Sequence, residues 1–355
     1  MAVTRQDAIN DALDRLSSLG FTMENSFSEH GPMVAEAIST LGCNEDIAGW
    51  VEIYKQKHHH APLPSRKQRI DGSNETEWRS ALGDYSRVTD WLGFFCEQLK
   101  ERPWQDVIAD WASILVPGYF GGLTHGLIRT AHAVRSFSED ANPSDLQINE
   151  LARGLAYWAG TYRSLPGNPH CHGRSGVEEA LRHLPRVEPG THKGPLGAGL
   201  NDLPGFTSAV ESLAEATDAE NAISRHTAAF ARVLIAHPEV PPIPLVHTIT
   251  APTAVQHLLP YVPRELGIRV YGHLWQVSAA IAAIFASPAK PGLEADPLTA
   301  APALRPDELI HRAIEHGDEH TIKLTEACLR EDRICPDPAY RGAAEAVLHR
   351  TTPLG

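Results

Sequence analysis

The chain has few cysteines, few methionines and no long apolar run. Its five cysteines are odd in number and form no Cys-x-x-Cys pair, which excludes a disulfide framework and favours reduced thiols. No window approaches 18 uninterrupted apolar residues, and residues 1–19 carry charges where a signal peptide has an apolar core. The sequence therefore predicts a cytoplasmic protein.

Positive charge is also scarce. The formal net charge is -13, whereas proteins that bind nucleic acid or anionic membranes cluster lysine and arginine on their binding surface. The sequence predicts neither nucleic acid nor a membrane as a partner, and it does not indicate an oligomeric state.

Several familiar catalytic signatures are absent. The chain has no Walker A loop, no His-Glu-x-x-His and no Gly-x-Ser-x-Gly. Gly197-Ala198-Gly199 resembles the start of a dinucleotide loop, but Asp202 stands where the third glycine belongs and no strand pattern precedes it. A built-in nicotinamide or flavin fold is therefore disfavoured.

Helical periodicity occupies most of the chain. Sixteen stretches between residues 4 and 349 repeat apolar residues at helical spacing, and strand signals are nearly absent. Segments rich in proline and glycine separate them, and 287–301 is the best linker candidate. Because each helix needs neighbours to cover its apolar stripe, we predict an all-α fold in which residues 1–355 form one large helical domain.

The most informative segment is 317–327. Gly317 suits the end of one helix and Asp318 the N-cap of the next, whose periodicity turns His320 and Lys323 to one face, with Lys323 bordering the apolar stripe. One interpretation is an ion pair with a neighbouring glutamate, Glu319 or Glu326. The other is a neutral lysine, reactive enough for Schiff-base chemistry or for capturing carbon dioxide as a metal-binding carbamate.

Histidine is abundant, at 19 residues, and two positions stand out. His30 precedes Gly31-Pro32, a favoured helix start, where a helix N-terminus disfavours imidazolium and so favours the neutral form that metals bind. The alternative is that it caps its own helix. His247 lies among apolar residues, either as a hydrogen-bonded core residue or as a ligand or base.

A third candidate is the predicted helix 121–137. His125 and His132 are seven residues apart, with Arg129 between them, so all three project from one face. The glycines in 121–126 weaken a helix unless another segment approaches its backbone closely. Periodicity fits equally a solvated polar face and a polar site enclosed by other helices.

Together these motifs resemble a known family. Four of them occur in the order found in the questin oxidase-like family, and they span about residues 25–330: SEHGPM at 28–33, THGLIR at 124–129, VHTIT at 246–250 and DEHTIK at 318–323. Each motif is short, but four in order are fairly specific.

The resemblance implies a function as well as a fold. It implies a helical array around a central metal site and an oxygenase that opens a ring of a polycyclic quinone or aromatic polyketide, as in antibiotic biosynthesis. It also implies non-haem Fe(II), with O2 as co-substrate, on one set of ligands: His30, His125, His247, His320 and carboxylated (carbamylated) Lys323. Arg129 and His132 are then expected to support these ligands or to contact the substrate.

Two other functions remain open from the sequence. The first is a Baeyer–Villiger-type oxidase that uses external NADPH and has no structural metal. The second is a non-catalytic helical protein whose histidines line a cavity for an aromatic ligand. Reduced-cofactor dependence would identify the first, and reversible binding without turnover the second.

Overall fold

The computed structural model describes residues 3–138, 142–188, 197–286 and 304–355, and within them the fold is all-α, as predicted. The predicted 287–301 linker lies outside the described residues, and the prediction of a single domain over 1–355 stays a prediction. These residues form isolated β-bridges but no strand. The sixteen α-helices of the described residues are α1 Arg5–Leu16, α2 Gly31–Thr40, α3 Ile47–Lys57, α4 Glu75–Ala81, α5 Val88–Glu101, α6 Trp104–Leu115, α7 His125–Phe137, α8 Asp145–Gly160, α9 Val177–His183, α10 Phe206–Glu211, α11 Ala219–Ala236, α12 Pro242–Val255, α13 Arg264–Phe285, α14 Pro306–His316, α15 Glu319–Ile334 and α16 Pro338–Leu348.

Local sequence explains where several helices begin. The Asp318 side chain accepts hydrogen bonds from the backbone N–H groups of His320 and Thr321, so α15 starts at the predicted cap. Gly317 ends α14 in the left-handed conformation at φ 74°, also as predicted. None of the described helices is long and apolar enough to cross a membrane.

Four helices form a closed ring of contacts in the middle of the fold. α2 packs against α7, α7 against α12, α12 against α15, and α15 against α2. α8 covers the outer side of α7, and α16 and α14 cover α15. The four ring helices are consequently buried along much of their length, which encloses whatever polar groups they turn towards one another.

The predicted helix 121–137 is wrong at its start. Residues Gly121–Thr124 form a short 3-10 turn that contains left-handed backbone, and the α-helix α7 begins only at His125. The reason is a close approach of α8 and its C-terminal residues: a Cβ on Gly121 would lie 1.5 Å from the Thr161 carbonyl oxygen, and one on Gly126 would lie 2.4 Å from Trp158 Cα. These glycines therefore lie at close backbone contacts, which is the condition under which the sequence was expected to tolerate them in a helix.

Candidate metal centre

Four histidine rings meet inside the ring of helices. They come from the N-cap of α2, the first residue of α7, the interior of α12 and the first turn of α15. Successive ring centroids are 4.6 Å apart for His30 and His125, 4.6 Å for His125 and His247, 5.9 Å for His247 and His320, and 4.6 Å for His320 and His30. Each ring therefore neighbours two others, in the same order as the helices that carry them.

Three of these side chains bring nitrogen atoms close enough to share an ion. One ring nitrogen from each of His30, His125 and His320 lies within 4.8 Å of the other two. His30 Nε2 and His125 Nε2 are only 2.6 Å apart. All four histidines are at most 5 % exposed, so water does not compete freely for these nitrogens.

Hydrogen bonds fix which nitrogen of two rings faces the cluster. His125 Nδ1 lies 2.7 Å from the Gly122 carbonyl oxygen, and since a carbonyl only accepts, Nδ1 carries the proton and Nε2 keeps its lone pair. His247 Nδ1 lies 3.1 Å from Thr124 Oγ1, while its Nε2 is buried with no hydrogen-bond partner. Both Nε2 atoms are therefore the metal-binding candidates.

The histidines are held neutral. Burial, together with the nearby Lys323 ammonium, lowers the pKa of His125 to about 3. Burial likewise lowers the pKa values of His30, His247 and His320 well below the ordinary value, with contributions from neighbouring histidines and Lys323. Neutral imidazole is the form that binds a metal ion.

Unpartnered nitrogens show that the cluster fits a metal. His247 Nε2 and His320 Nδ1 are both buried without a hydrogen bond. A buried polar atom without a partner is destabilising, and two in one place call for an explanation such as an ion. His30 turns its Nε2 towards His125, while its Nδ1 forms no hydrogen bond and lies 3.6 Å from Glu319 Oε1, a position from which a carboxylate can orient a metal-bound imidazole.

Lys323 lies on the same helix as His320 and is 2 % exposed. The glutamates proposed from the sequence as its partners are engaged elsewhere: Glu326 pairs with Arg135 at 2.6 Å, and the Glu319 carboxylate lies beside His30. Within the described residues Lys323 forms no ion pair shorter than 4.0 Å. Burial lowers its pKa to about 8 although Glu319 raises it, so the neutral amine is much more populated than in an exposed lysine.

Arg129 and His132 lie outside the histidine ring, although the sequence put them on one face of α7 with His125. The Arg129 guanidinium is buried between Glu150, at 2.6 Å, and Glu29, at 3.1 Å. Glu29 precedes His30 and accepts a hydrogen bond from the first backbone N–H of α2. Arg129 thus anchors the segment that carries His30, which fits a supporting role better than a contact with substrate.

His132 belongs to a different buried network. Its Nδ1 lies 2.7 Å from Glu36 Oε2, and Arg135 donates to the same carboxylate. The sequence reasoning missed Glu36 and Thr124 as functional neighbours, and it considered Glu319 only as a partner of Lys323 and not of His30. For Glu36, one signal was available in the sequence: it is a glutamate at the centre of an otherwise largely apolar helix.

The N-terminal part of the chain that builds two sides of this centre also matches a known family. Residues 27–141 match the questin oxidase-like family model. This stretch confirms the resemblance over less than half of the chain, and it includes α2 and α7 with His30 and His125. The motifs around His247 and His320 lie beyond it, so their resemblance to the questin oxidase-like family stays a prediction. At the level of the family, the match implies an oxidoreductase. None of the curated proteins matches the chain.

Proposed function

We propose that this protein is a non-haem iron-dependent oxygenase that cleaves a carbon–carbon bond, opening a ring of a polycyclic quinone or related aromatic polyketide. The observation that supports it most is the ring of four buried, neutral histidines with unpartnered nitrogens. The questin oxidase-like match adds the reaction class, at family level.

The proposed ligands are His30, His125, His247, His320 and Lys323. Neutral imidazoles suit iron and also other transition metals, so the donor set fits the ion without fixing its identity. Iron bound there would supply the reactivity towards O2 that amino-acid side chains lack. The chain itself would orient the imidazoles through Gly122, Thr124 and Glu319 and would exclude water from them.

Lys323 would join this set as a carbamate. Its neutral amine attacks the carbon of carbon dioxide, so that an N–C bond forms while one C=O π bond breaks and its electron pair moves to oxygen. The nitrogen then loses one proton to solvent, leaving a carbamate anion. The change replaces a buried ammonium by an anionic oxygen donor, which removes the unfavourable charge beside four histidines and supplies negative charge to a cation. The geometric support for this step is that Lys323 is 2 % exposed on α15, the helix that packs against both α2 and α12.

The first experiment measures metal content. The chain, purified without a histidine tag and loaded with Fe(II) under nitrogen, should retain about one iron per chain after gel filtration. His247→Ala and Lys323→Met should each lose most of it, since each removes one ligand. The control is His226→Gln. His226 is also fully buried, but its Nε2 forms a hydrogen bond with Ser278 Oγ at 3.0 Å, and it is not one of the proposed ligands. Equal iron in all four proteins would contradict the proposal.

The second experiment measures turnover. Hydroxylated anthraquinones are incubated with the iron-loaded protein under 18O2, and the products are analysed by mass spectrometry. A ring-opened product that carries 18O is expected without added NADPH. Turnover by metal-free protein that requires NADPH would instead support the Baeyer–Villiger-type oxidase, and recovery of bound, unchanged ligand under oxygen would support the binding protein.

A further inference from the structure

Three successive residues before α7 have left-handed backbone. Gly122 has φ 58°, Leu123 φ 48° and Thr124 φ 68°. Glycine adopts this conformation readily, but leucine does so seldom and a β-branched residue such as threonine very rarely. Backbone of this kind persists where the surrounding structure enforces it, and it concentrates at functional sites.

The surrounding structure that enforces it is the C-terminal end of α8. Gly121 lies against the Thr161 carbonyl, where any Cβ would overlap the oxygen, and a Cβ on Gly122 would lie 3.2 Å from the Tyr157 hydroxyl. The backbone N–H of Arg163 also donates to the Gly118 carbonyl at 2.8 Å. The turn is therefore fixed from outside the histidine ring.

On its inner side, the same turn contacts two of the four histidines. The Gly122 carbonyl accepts from His125 Nδ1 at 2.7 Å, and Thr124 Oγ1 lies 3.1 Å from His247 Nδ1. Thr124 is fully buried, so no water replaces its hydroxyl. One strained turn thus sets the orientation of imidazoles that belong to two different helices, α7 and α12.

We propose that Thr124 is a positioning residue of the metal centre: its hydroxyl accepts the His247 Nδ1–H and so holds the tautomer and ring orientation in which Nε2 faces the ion. This inference rests on the proposed metal-binding function. Without the hydroxyl, either ring nitrogen of His247 can carry the proton, and the ring loses its only hydrogen bond among the described residues.

The test compares Thr124→Val with Thr124→Ser. Valine keeps the shape and β-branching but loses the hydroxyl, whereas serine keeps the hydroxyl. Affinity for Co(II) is measured by its visible absorption, and Fe(II) retention is measured under nitrogen. Thr124→Val should bind Co(II) roughly 10–100-fold more weakly, the usual effect of removing a partner of a metal-bound histidine, and Thr124→Ser should restore binding to near the wild-type affinity.

Thr130→Val is the matched control. Thr130 is equally buried on α7, but its hydroxyl bonds the Gly126 carbonyl of its own helix at 2.8 Å. This variant tests the general effect of replacing a buried threonine by valine, so its Co(II) affinity should stay at the wild-type value. An equal loss of affinity in Thr130→Val and Thr124→Val would show a general structural effect and overturn the proposal.

Thr124→Gly separates strain from function. Glycine adopts φ 68° without strain, so the metal-free variant should unfold at or above the wild-type temperature while its Co(II) affinity falls as in Thr124→Val. Wild-type affinity in Thr124→Gly or Thr124→Val would overturn the role of the hydroxyl and leave the proposed function intact. Failure of the wild-type chain to bind Co(II) or Fe(II) would instead overturn the proposed function.

Discussion

At the scale of one residue, Glu36 shows how the fold stabilises a buried charge. Its carboxylate is 2 % exposed and lies near three donors from two other helices, α1 and α7: Arg5 at 2.9 Å, His132 at 2.7 Å and Arg135 at 2.8 Å. Burial alone would raise its pKa, but Arg135 and His132 hold the pKa of Glu36 well below its ordinary value of 4.5. This network lies beside the histidine ring on α2 and α7, and it ties these two helices together.

Glu36→Gln should therefore weaken the fold in a pH-dependent way. A carboxylate with a depressed pKa in the folded state stabilises the protein above its unfolded pKa, and this stability is lost as the pH falls through the folded value. At pH 7 the variant should lose about 3 kcal/mol of unfolding free energy, because Arg135 loses a buried partner. The difference should shrink as the pH falls below 4.5.

Urea unfolding from pH 7 to pH 3 measures this difference. Glu24→Gln is the control, since Glu24 is exposed, and its unfolding free energy should follow the wild type at every pH. If the difference in unfolding free energy between Glu36→Gln and the wild type stayed constant across this pH range, the ionised Glu36 carboxylate would not be stabilised by Arg135 and His132.

At the scale of helices, the sequence predicted which helices exist better than it predicted where they begin and end. Periodicity predicted sixteen helical stretches, and the described residues form sixteen α-helices, because an apolar face that repeats at helical spacing can be recognised without knowledge of distant contacts. The start of α7 was wrong because the left-handed turn depends on contact with α8, which is distant in sequence. Local propensity carries no information about such a contact.

Gly126→Ala tests how closely α7 and α8 approach. Alanine is ordinarily favoured over glycine in a helix, but here its Cβ would lie 2.4 Å from Trp158 Cα, so the two helices must move apart. We expect a loss of about 1–3 kcal/mol in unfolding free energy, as for other overpacked sites. Gly49→Ala in α3 is the control.

A Cβ on Gly49 meets no atom within 4 Å, so that variant should gain up to about 1 kcal/mol through helix propensity alone. The unfolding free energies of both variants are measured in urea. If Gly126→Ala were stabilised to the same extent as Gly49→Ala, the close packing of α7 on α8 would be contradicted.

At the scale of the whole molecule, the candidate centre joins parts of the chain that are far apart. The resemblance to the questin oxidase-like family named His30, His125, His247, His320 and Lys323 as ligands, and four helices bring these side chains to one buried place. Residue patterns alone did not decide between a structural and a functional role for these residues, because what a side chain faces depends on which helices pack together. Thr124 and Glu319 could not be assigned from the sequence, since their roles arise only from that pairing.

Because the ligands belong to four helices, metal binding should stabilise the entire fold. An ion that binds only the folded state adds about 2.7 kcal/mol when its concentration is 100 times the dissociation constant. The thermal midpoint of the wild type should therefore rise with Fe(II) under nitrogen and fall again with a chelator. The midpoint of His247→Ala should not respond over the same range of Fe(II) concentrations.

Mg2+ supplies the matched control for this measurement. It prefers oxygen ligands in an octahedral arrangement, so a site dominated by imidazoles should bind it poorly and the midpoint should stay constant. A midpoint that rises equally with Mg2+ and Fe(II) would indicate nonspecific ion binding to the acidic surface of this chain, whose net charge is -13. A midpoint that does not change although iron is bound would mean that the ion binds the unfolded chain as tightly as the folded one, which would contradict a site assembled from four helices.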